Sequence, residues 1–265
     1  MQKDTPPISF VTVSHGHVDY VIELIESIIQ YWHSSFELVL VDNLGSDAFD
    51  DLVVEFNQKL KYSDSSISLH KLERPRSFSV GNNYAIRHAR FEYLFIINPD
   101  CRFIDQSVHQ WFQQASKNSA GKLYYPRLLN SDGSIQQNFN EWPNLPNQAL
   151  RLFKAKLGLP TGQKQKRRDW YFASSIVTTK LTFKRLNGFE ELFPLYCEDV
   201  ALCHKAKLLN IACEYVSNVK MVHHLGGEAK HKYLRKAIAS NAIWRYVRLR
   251  NYIQIKILKN RYGGT

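Results

Sequence analysis

Tyr93-Leu94-Phe95-Ile96-Ile97-Asn98-Pro99-Asp100 is the stretch that decides the fold. Its first five residues are consecutive, apolar, and mostly aromatic or β-branched, as in a strand buried on both faces. The run is short for a helix and stops at Pro99, which cannot donate to a ladder. A polar Asn-Pro-Asp therefore closes a buried strand.

Toward the N-terminus the same pattern repeats. Ile8–Ser14 and Phe36–Val41 are apolar runs rich in β-branched residues, and Ile67–Leu72 is a third. Between them lie stretches with helical spacing. Val18–Tyr31 places Val21, Leu24, Ile25, Ile28 and Ile29 on one face, and Asp47–Leu60 reads as a second helix. Ser79 is the expected N-cap of a third, running to Arg90. A βαβαβαβ series predicts a parallel sheet with helices on both faces, and ligands bind beyond the carboxyl ends of such strands. Ser14-His15, Asp42-Asn43 and Asn98-Pro99-Asp100 all stand at those ends.

Beyond Asp100 the expected elements are a helix over Gln106–Asn118, a strand near Lys122–Tyr125, and structure again over Trp170–Thr178. A turn at Asn187-Gly188, a helix from Asp199 to about Leu209 and a strand over Ala212–Val222 follow. Asn210 is placed to end the helix in a left-handed conformation. Pro126–Pro160 and the run Lys164-Gln165-Lys166-Arg167-Arg168 read as loops.

The 265 residues suffice for one large α/β domain with an appendage. Met1–Pro7 lacks the basic and apolar regions of a signal peptide, and no segment approaches the ~20 apolar residues of a membrane span. The expected location is the cytoplasm. Cys101, Cys197, Cys203 and Cys213 form no CxxC pair and read as free thiols. The net charge of +11 is unevenly placed: Ala229–Thr265 holds ten Lys or Arg and no Asp or Glu, leaving about +1 for the rest. The expected division is a domain over residues 1–228 and a basic helical extension over 229–265.

Several motifs recur in a definite order: Val41-Asp42-Asn43, Ser79-Val80-Gly81-Asn82-Asn83, Asn98-Pro99-Asp100, Gly188-Phe189-Glu190-Glu191-Leu192-Phe193, Leu195-Tyr196-Cys197-Glu198-Asp199 and His223-His224. From about Ile8 to Glu228 the chain resembles the rhamnosyltransferase-like branch of glycosyltransferase family 2. The resemblance implies a GT-A fold, a Rossmann-like α/β architecture with a mostly parallel central sheet. It also implies an enzyme that moves a sugar from a nucleotide-diphosphate donor, UDP- or dTDP-linked, with inversion, in bacterial surface polysaccharide synthesis.

The chemistry agrees. Departure of a diphosphate builds negative charge that a divalent cation can stabilise. Asp100 is the natural carboxylate ligand, and by the family pattern His223 adds an imidazole, which favours Mn2+ over Mg2+. His224 is the alternative; side chains alternate along a strand, so the two should not both bind. Asp42, with Ser14, Asn43 and Asn98, matches the donor side. A carboxylate there accepts from ribose or base, although Asp-Asn also suits a plain turn. Gly81, Asn82 and Asn83 open a helix whose N-terminus favours an anion, and helix capping alone explains them nearly as well.

In the family the base is the Asp of the Glu-Asp pair, here Asp199 beside Glu198. Adjacent carboxylates raise one another's pKa, which suits a base near neutrality. The simpler reading is acidic charge on the first turn of a helix. The sequence departs from the family at Ala173-Ser174, Pro194 and Lys205, which bears on acceptor choice. Trp142, Trp170 and Tyr196 are aromatic enough to stack on a sugar and equally suited to a core.

The basic extension mixes Lys232, Arg235, Lys236, Arg245, Arg248, Lys256 and Lys259 with Tyr233, Ile243, Trp244, Tyr246 and Ile253. That pattern suits the anionic inner face of a cytoplasmic membrane and a lipid-linked glycan acceptor. No nucleic-acid recognition motif accompanies it. Two other functions remain to be weighed: a catalytically inactive nucleotide-sugar or carbohydrate-binding protein, and a nucleotidyltransferase. The second would want basic residues in an early phosphate loop, and Ser14–Tyr20 has none.

Overall fold

Ile8–Ser14 forms β1 with all seven residues buried, and Phe36–Asp42 is buried likewise, whereas Ser66–Lys71 at the sheet edge buries only Ile67. A computed structural model describes residues 5–118, 121–142, 167–224 and 234–262. After β1 come α1 (Val18–Tyr31), β2 (Phe36–Asp42), α2 (Asp50–Leu60), β3 (Ser66–Lys71), α3 (Phe78–His88) and β4 (Tyr93–Ile97). Next are β5 (Cys101–Phe103), α4 (Ser107–Ala115), β6 (Lys122–Leu129), β7 (Ile135–Gln136), β8 (Phe139–Asn140), β9 (Trp170–Tyr171) and β10 (Ser175–Thr179). The chain ends with α5 (Lys180–Arg185), α6 (Glu198–Leu208), β11 (Ala212–His223) and α7 (Leu234–Tyr262).

The main sheet runs β3-β2-β1-β4-β10-β6-β11-β5, with β7 on β6. Its first four strands are parallel, as their apolar runs and intervening helices require. Beyond β4 the sheet turns mixed, so the expected mostly parallel sheet is parallel through β4 and carries antiparallel strands beyond it. β10 lies antiparallel to both β4 and β6, β11 is parallel to β6, and β5 is antiparallel to β11. The antiparallel β10 sets Ser175 opposite Ile97. The short β5 sets Cys101 opposite His223, which brings two distant segments together beside Asp100.

Alternation along β1 splits the core. Phe10 packs with α1, α2 and α4 on one face; Val11 and Val13 pack with α3, α5 and α6 on the other. The Phe10 ring lies 5.2 Å from Trp32, 5.4 Å from Phe95 and 5.9 Å from Phe103. Such a ring, fully buried, is worth about 3–5 kcal/mol against alanine.

One expected cap is corrected, and two elements gain detail. The N-cap of α3 is Ser77, whose side chain accepts from the Val80 amide; Ser79 sits inside the helix, buried. The stretch Trp170–Thr178 is two strands in different sheets, β9 pairing with β8 and β10 with β4. The basic tail is one helix over its described length. Asn210 does adopt the left-handed conformation, at φ 55°. The described part of the expected loop, Pro126 to Trp142, instead carries the end of β6 and the short strands β7 and β8, and residues 143–166 lie outside the described residues.

Candidate active site

The ends of β1 and β2 are in register, Ser14 opposite Asp42, and both are fully buried. Ser14 Oγ accepts from the His17 amide. The Asp42 carboxylate accepts from the amides of Leu44 (2.9 Å) and Ser46 (2.6 Å) and from the Ser46 hydroxyl (2.8 Å). This is the plain turn that Asp-Asn allows, and it occupies three of the carboxylate's roughly four acceptor sites. Asn43 donates to the Arg76 carbonyl and accepts from the Arg76 amide, tethering the segment that leads into α3.

The α3 trio also works within the fold. A Cβ on Gly81 would lie 3.0 Å from Val13 Cγ1, so glycine permits the close approach of α3 to β1. Asn82 donates to the Phe78 carbonyl four residues back. Asn83 reaches across the fold: it donates to the Phe189 carbonyl and Glu191 Oε1 and accepts from the Phe189 amide. It thus anchors the segment leading to Glu198-Asp199. Asn98, half-buried, donates its amide to the Ser174 carbonyl at 2.9 Å and joins β4 to the turn before β10.

Asp100 and His223 come together, although 123 positions separate them in sequence. His223 Nε2 lies 3.2 Å from Asp100 Oδ2, with both side chains almost fully buried. His223 Nδ1 lies 2.6 Å from Gln136 Oε1. The Gln136 amide nitrogen donates to Asn130 Oδ1 (2.9 Å) and to the His223 carbonyl (3.1 Å), which fixes the oxygen toward the ring. The carbonyl oxygen only accepts, so Nδ1 carries the proton and donates. In the neutral ring Nε2 then turns a lone pair toward a carboxylate oxygen. Burial pushes the His223 pKa down, against the pull of Asp100 and with the push of His224. Two acceptors face one another, an arrangement completed by a proton or by a cation.

The donor set fits a hard divalent cation. Cys101 Sγ also lies within 4.8 Å of the Asp100 and His223 ligand atoms. Its thiol is buried, contacts the Ser174 carbonyl at 3.5 Å, and is held well above its ordinary pKa by burial. A neutral thiol is a poor ligand for Mn2+ or Mg2+, so of the three side chains Asp100 and His223 are the ones that could hold such an ion. Sequence reasoning missed Gln136, which lies in a polar segment that matches no motif. His224 points elsewhere, with Nε2 3.1 Å from Glu23 and Nδ1 3.0 Å from the Ser131 hydroxyl.

Glu198 and Asp199 open α6 after a strained turn. Tyr196 and Cys197 both take positive φ, 69° and 72°. Such conformations cost non-glycine residues about 1–3 kcal/mol each. Glu198 is buried, and its Oε2 has no hydrogen-bond partner among the described residues. Burial, reinforced by the Asp199 charge, raises the Glu198 pKa. Burial also raises that of Asp199, against the Val200 amide that donates to Oδ1 at 2.7 Å. Asp199 keeps part of its surface open although protein atoms enclose it. Both carboxyls are thus displaced toward neutrality.

Helix α7 holds this turn from the other side. Trp244 and Val247 pack with Phe193, Cys197 and Val200. Ser240 donates to the Leu195 carbonyl, and Arg250 pairs with Glu190. Trp142 stacks on Trp244 at 6.4 Å, and Trp170 donates to the Glu141 carbonyl, so both serve packing. Lys205, buried inside α6, donates to the Gly188 carbonyl. Among the described residues no helix is long and apolar enough to cross a membrane.

A curled mixed sheet covered by helices, with its first four strands parallel, is an α/β architecture of the GT-A fold. A mannosyltransferase from Pyrobaculum calidifontis, solved with GDP-Man and Mn2+, superposes with a TM-score of 0.59 over 99% of this chain and 66% of its own, at 15% identity. Residues 9–176 match the sequence model of glycosyl transferase family 2, and the chain belongs to that family. Among curated relatives, the O-antigen biosynthesis protein RfbC of Myxococcus xanthus is 22% identical over 84% of this chain, which spans only 18% of that protein. The rhamnosyltransferase WbbL of Escherichia coli K12 is 22% identical over 82% of this chain and 83% of its own length.

Proposed function

We propose that the chain transfers a sugar from a UDP- or dTDP-sugar, with inversion, to a glycan or lipid-linked acceptor of a bacterial surface polysaccharide. Within the family frame, one observation carries the reading: His223 Nε2 and Asp100 Oδ2 facing each other at 3.2 Å, with the ring proton held on the far nitrogen by Gln136. Relatives in O-antigen synthesis and rhamnosyl transfer support the setting. A location at the inner face of the cytoplasmic membrane suits such an acceptor.

Asp100 and His223 would hold a divalent cation, Mn2+ or Mg2+, which when bound neutralises charge developing on the leaving diphosphate. Two protein ligands leave room for diphosphate oxygens and water. Ser14, Asp42, Asn43, Gly81, Asn82, Asn83 and Asn98 shape the strand-end rim on which the donor would lie. In this reading Asp42 and Gly81 hold its backbone in place. Asp199, with Glu198 beside it, takes the proton from the acceptor hydroxyl as that oxygen attacks the anomeric carbon, and burial keeps its pKa high.

The test is thermal stability against UDP, dTDP and GDP, with and without Mn2+. A native-state ligand at ~100 Kd adds about 2.7 kcal/mol. The expected result is a Mn2+-dependent shift with UDP or dTDP that Asp100→Ala removes. No shift with any nucleotide would overturn the reading. A shift with GDP alone would overturn the donor assignment.

A further inference from the structure

Helix α7 has two opposed faces, and the fold buries only one. Ser240, Trp244, Val247 and Asn251 recur at helical spacing and are buried, with Trp244 and Val247 packed against α6 and the turn before it and Ser240 donating to the Leu195 carbonyl. Tyr246, Leu249, Ile253 and Ile257 recur at the same spacing, displaced by roughly half a turn at 100° per residue. These four are 60%, 60%, 46% and 51% exposed. Large aliphatic side chains in a row along one helix mark an interaction site more often than chance placement.

The charge on the same helix selects the partner. Arg245, Arg248 and Lys256 are exposed beside the stripe, within a segment that has ten basic and no acidic residues from Ala229 onward. Joining two copies through this stripe would bring two acid-free basic helices together, which charge disfavours. Nucleic acid would meet the charge and leave the leucine and isoleucines in water. An anionic bilayer meets both: apolar side chains enter the acyl boundary while Arg and Lys reach the headgroups.

We infer that the Tyr246, Leu249, Ile253, Ile257 stripe is a docking surface for an anionic phospholipid bilayer. The opposite face of the same helix packs against the turn that carries Glu198 and Asp199. One rigid element therefore links the lipid surface to the residues that would activate the acceptor. The inference rests on the transferase reading for its purpose, and its test reads a different quantity.

The full chain is mixed with vesicles of phosphatidylcholine, or of phosphatidylcholine with phosphatidylglycerol, and sedimented. Co-sedimentation with the anionic vesicles alone is expected. The Leu249→Ser/Ile253→Ser and Arg245→Glu/Lys256→Glu pairs should each weaken it by about tenfold or more. Both pairs keep the wild-type nucleotide-dependent thermal shift, since neither touches the donor side; failure there would concern the transferase reading instead. Absence of vesicle binding overturns the inference. So does binding unchanged by the serine pair, competition by duplex DNA to completion, or a dimer that the serine pair dissolves.

Discussion

Gln136 and His223 form a positioning pair: the glutamine oxygen accepts the Nδ1 proton at 2.6 Å and so leaves Nε2 to face Asp100. Partners that fix the tautomer of a ligating histidine typically contribute 10–100-fold to metal affinity. Gln136→Leu is therefore expected to weaken Mn2+ binding by about that factor, read by calorimetric titration with UDP present. Unchanged affinity would show that Gln136 serves only the local turn.

Asp199→Asn is expected to separate activity from stability. Loss of the base lowers transfer by about 10²–10⁴-fold. In the wild type, burial raises the Asp199 pKa, so between the ordinary carboxylate range and the raised value the folded protein keeps a proton that the unfolded chain has lost. Stability falls as pH rises through that window, and base activity rises across it. Asparagine removes this fall, so the variant should be more stable at neutral pH, by about 1 kcal/mol. Denaturant unfolding at mildly acidic and neutral pH reads the difference.

Lys205 gives the opposite dependence. Burial lowers its pKa to about 8, against the pull of Glu190 and with the push of Arg250. Between that value and about 10.4, the folded protein has released a proton that the unfolded chain retains. Stability contributed here rises with pH across the window. Lys205→Met should flatten that rise, read by unfolding midpoints on either side of pH 9 (roughly mid-window).

Gly81→Ala tests whether α3 can move. The added Cβ meets Val13 Cγ1 at 3.0 Å, in the middle of the core beside β1. Overpacking of this kind costs about 1–3 kcal/mol, so the melting temperature should fall by several degrees. A neutral result would mean that α3 shifts easily, and that the strand-end rim beside it is adjustable.

The strands were legible because each is a short apolar run with a polar end, and four such runs joined by helical spacing leave few topologies. Asp100 was legible for the same reason. Register across the sheet was not: β10 inserts antiparallel beside β4 through tertiary packing, which its own alternation does not encode. Ser77 and Ser79 are equally good caps in sequence, and their surroundings in the fold decide between them. The choice between His223 and His224 depended on which side chain turns inward. Gln136 meets His223 across 87 positions. Only the pairing of β7 with β6 places it there.

The paired left-handed residues before α6 also set how this protein would respond to selection. Tyr196 and Cys197 hold backbone angles that glycine adopts freely. A screen for heat tolerance alone would therefore favour glycine at these two positions, since the strain would vanish. The same change would free the start of α6 and let Asp199 wander. In the proposed reading, in which Asp199 is the base, ancestors and variants of this chain should resist that improvement, because the distortion would hold the base in place.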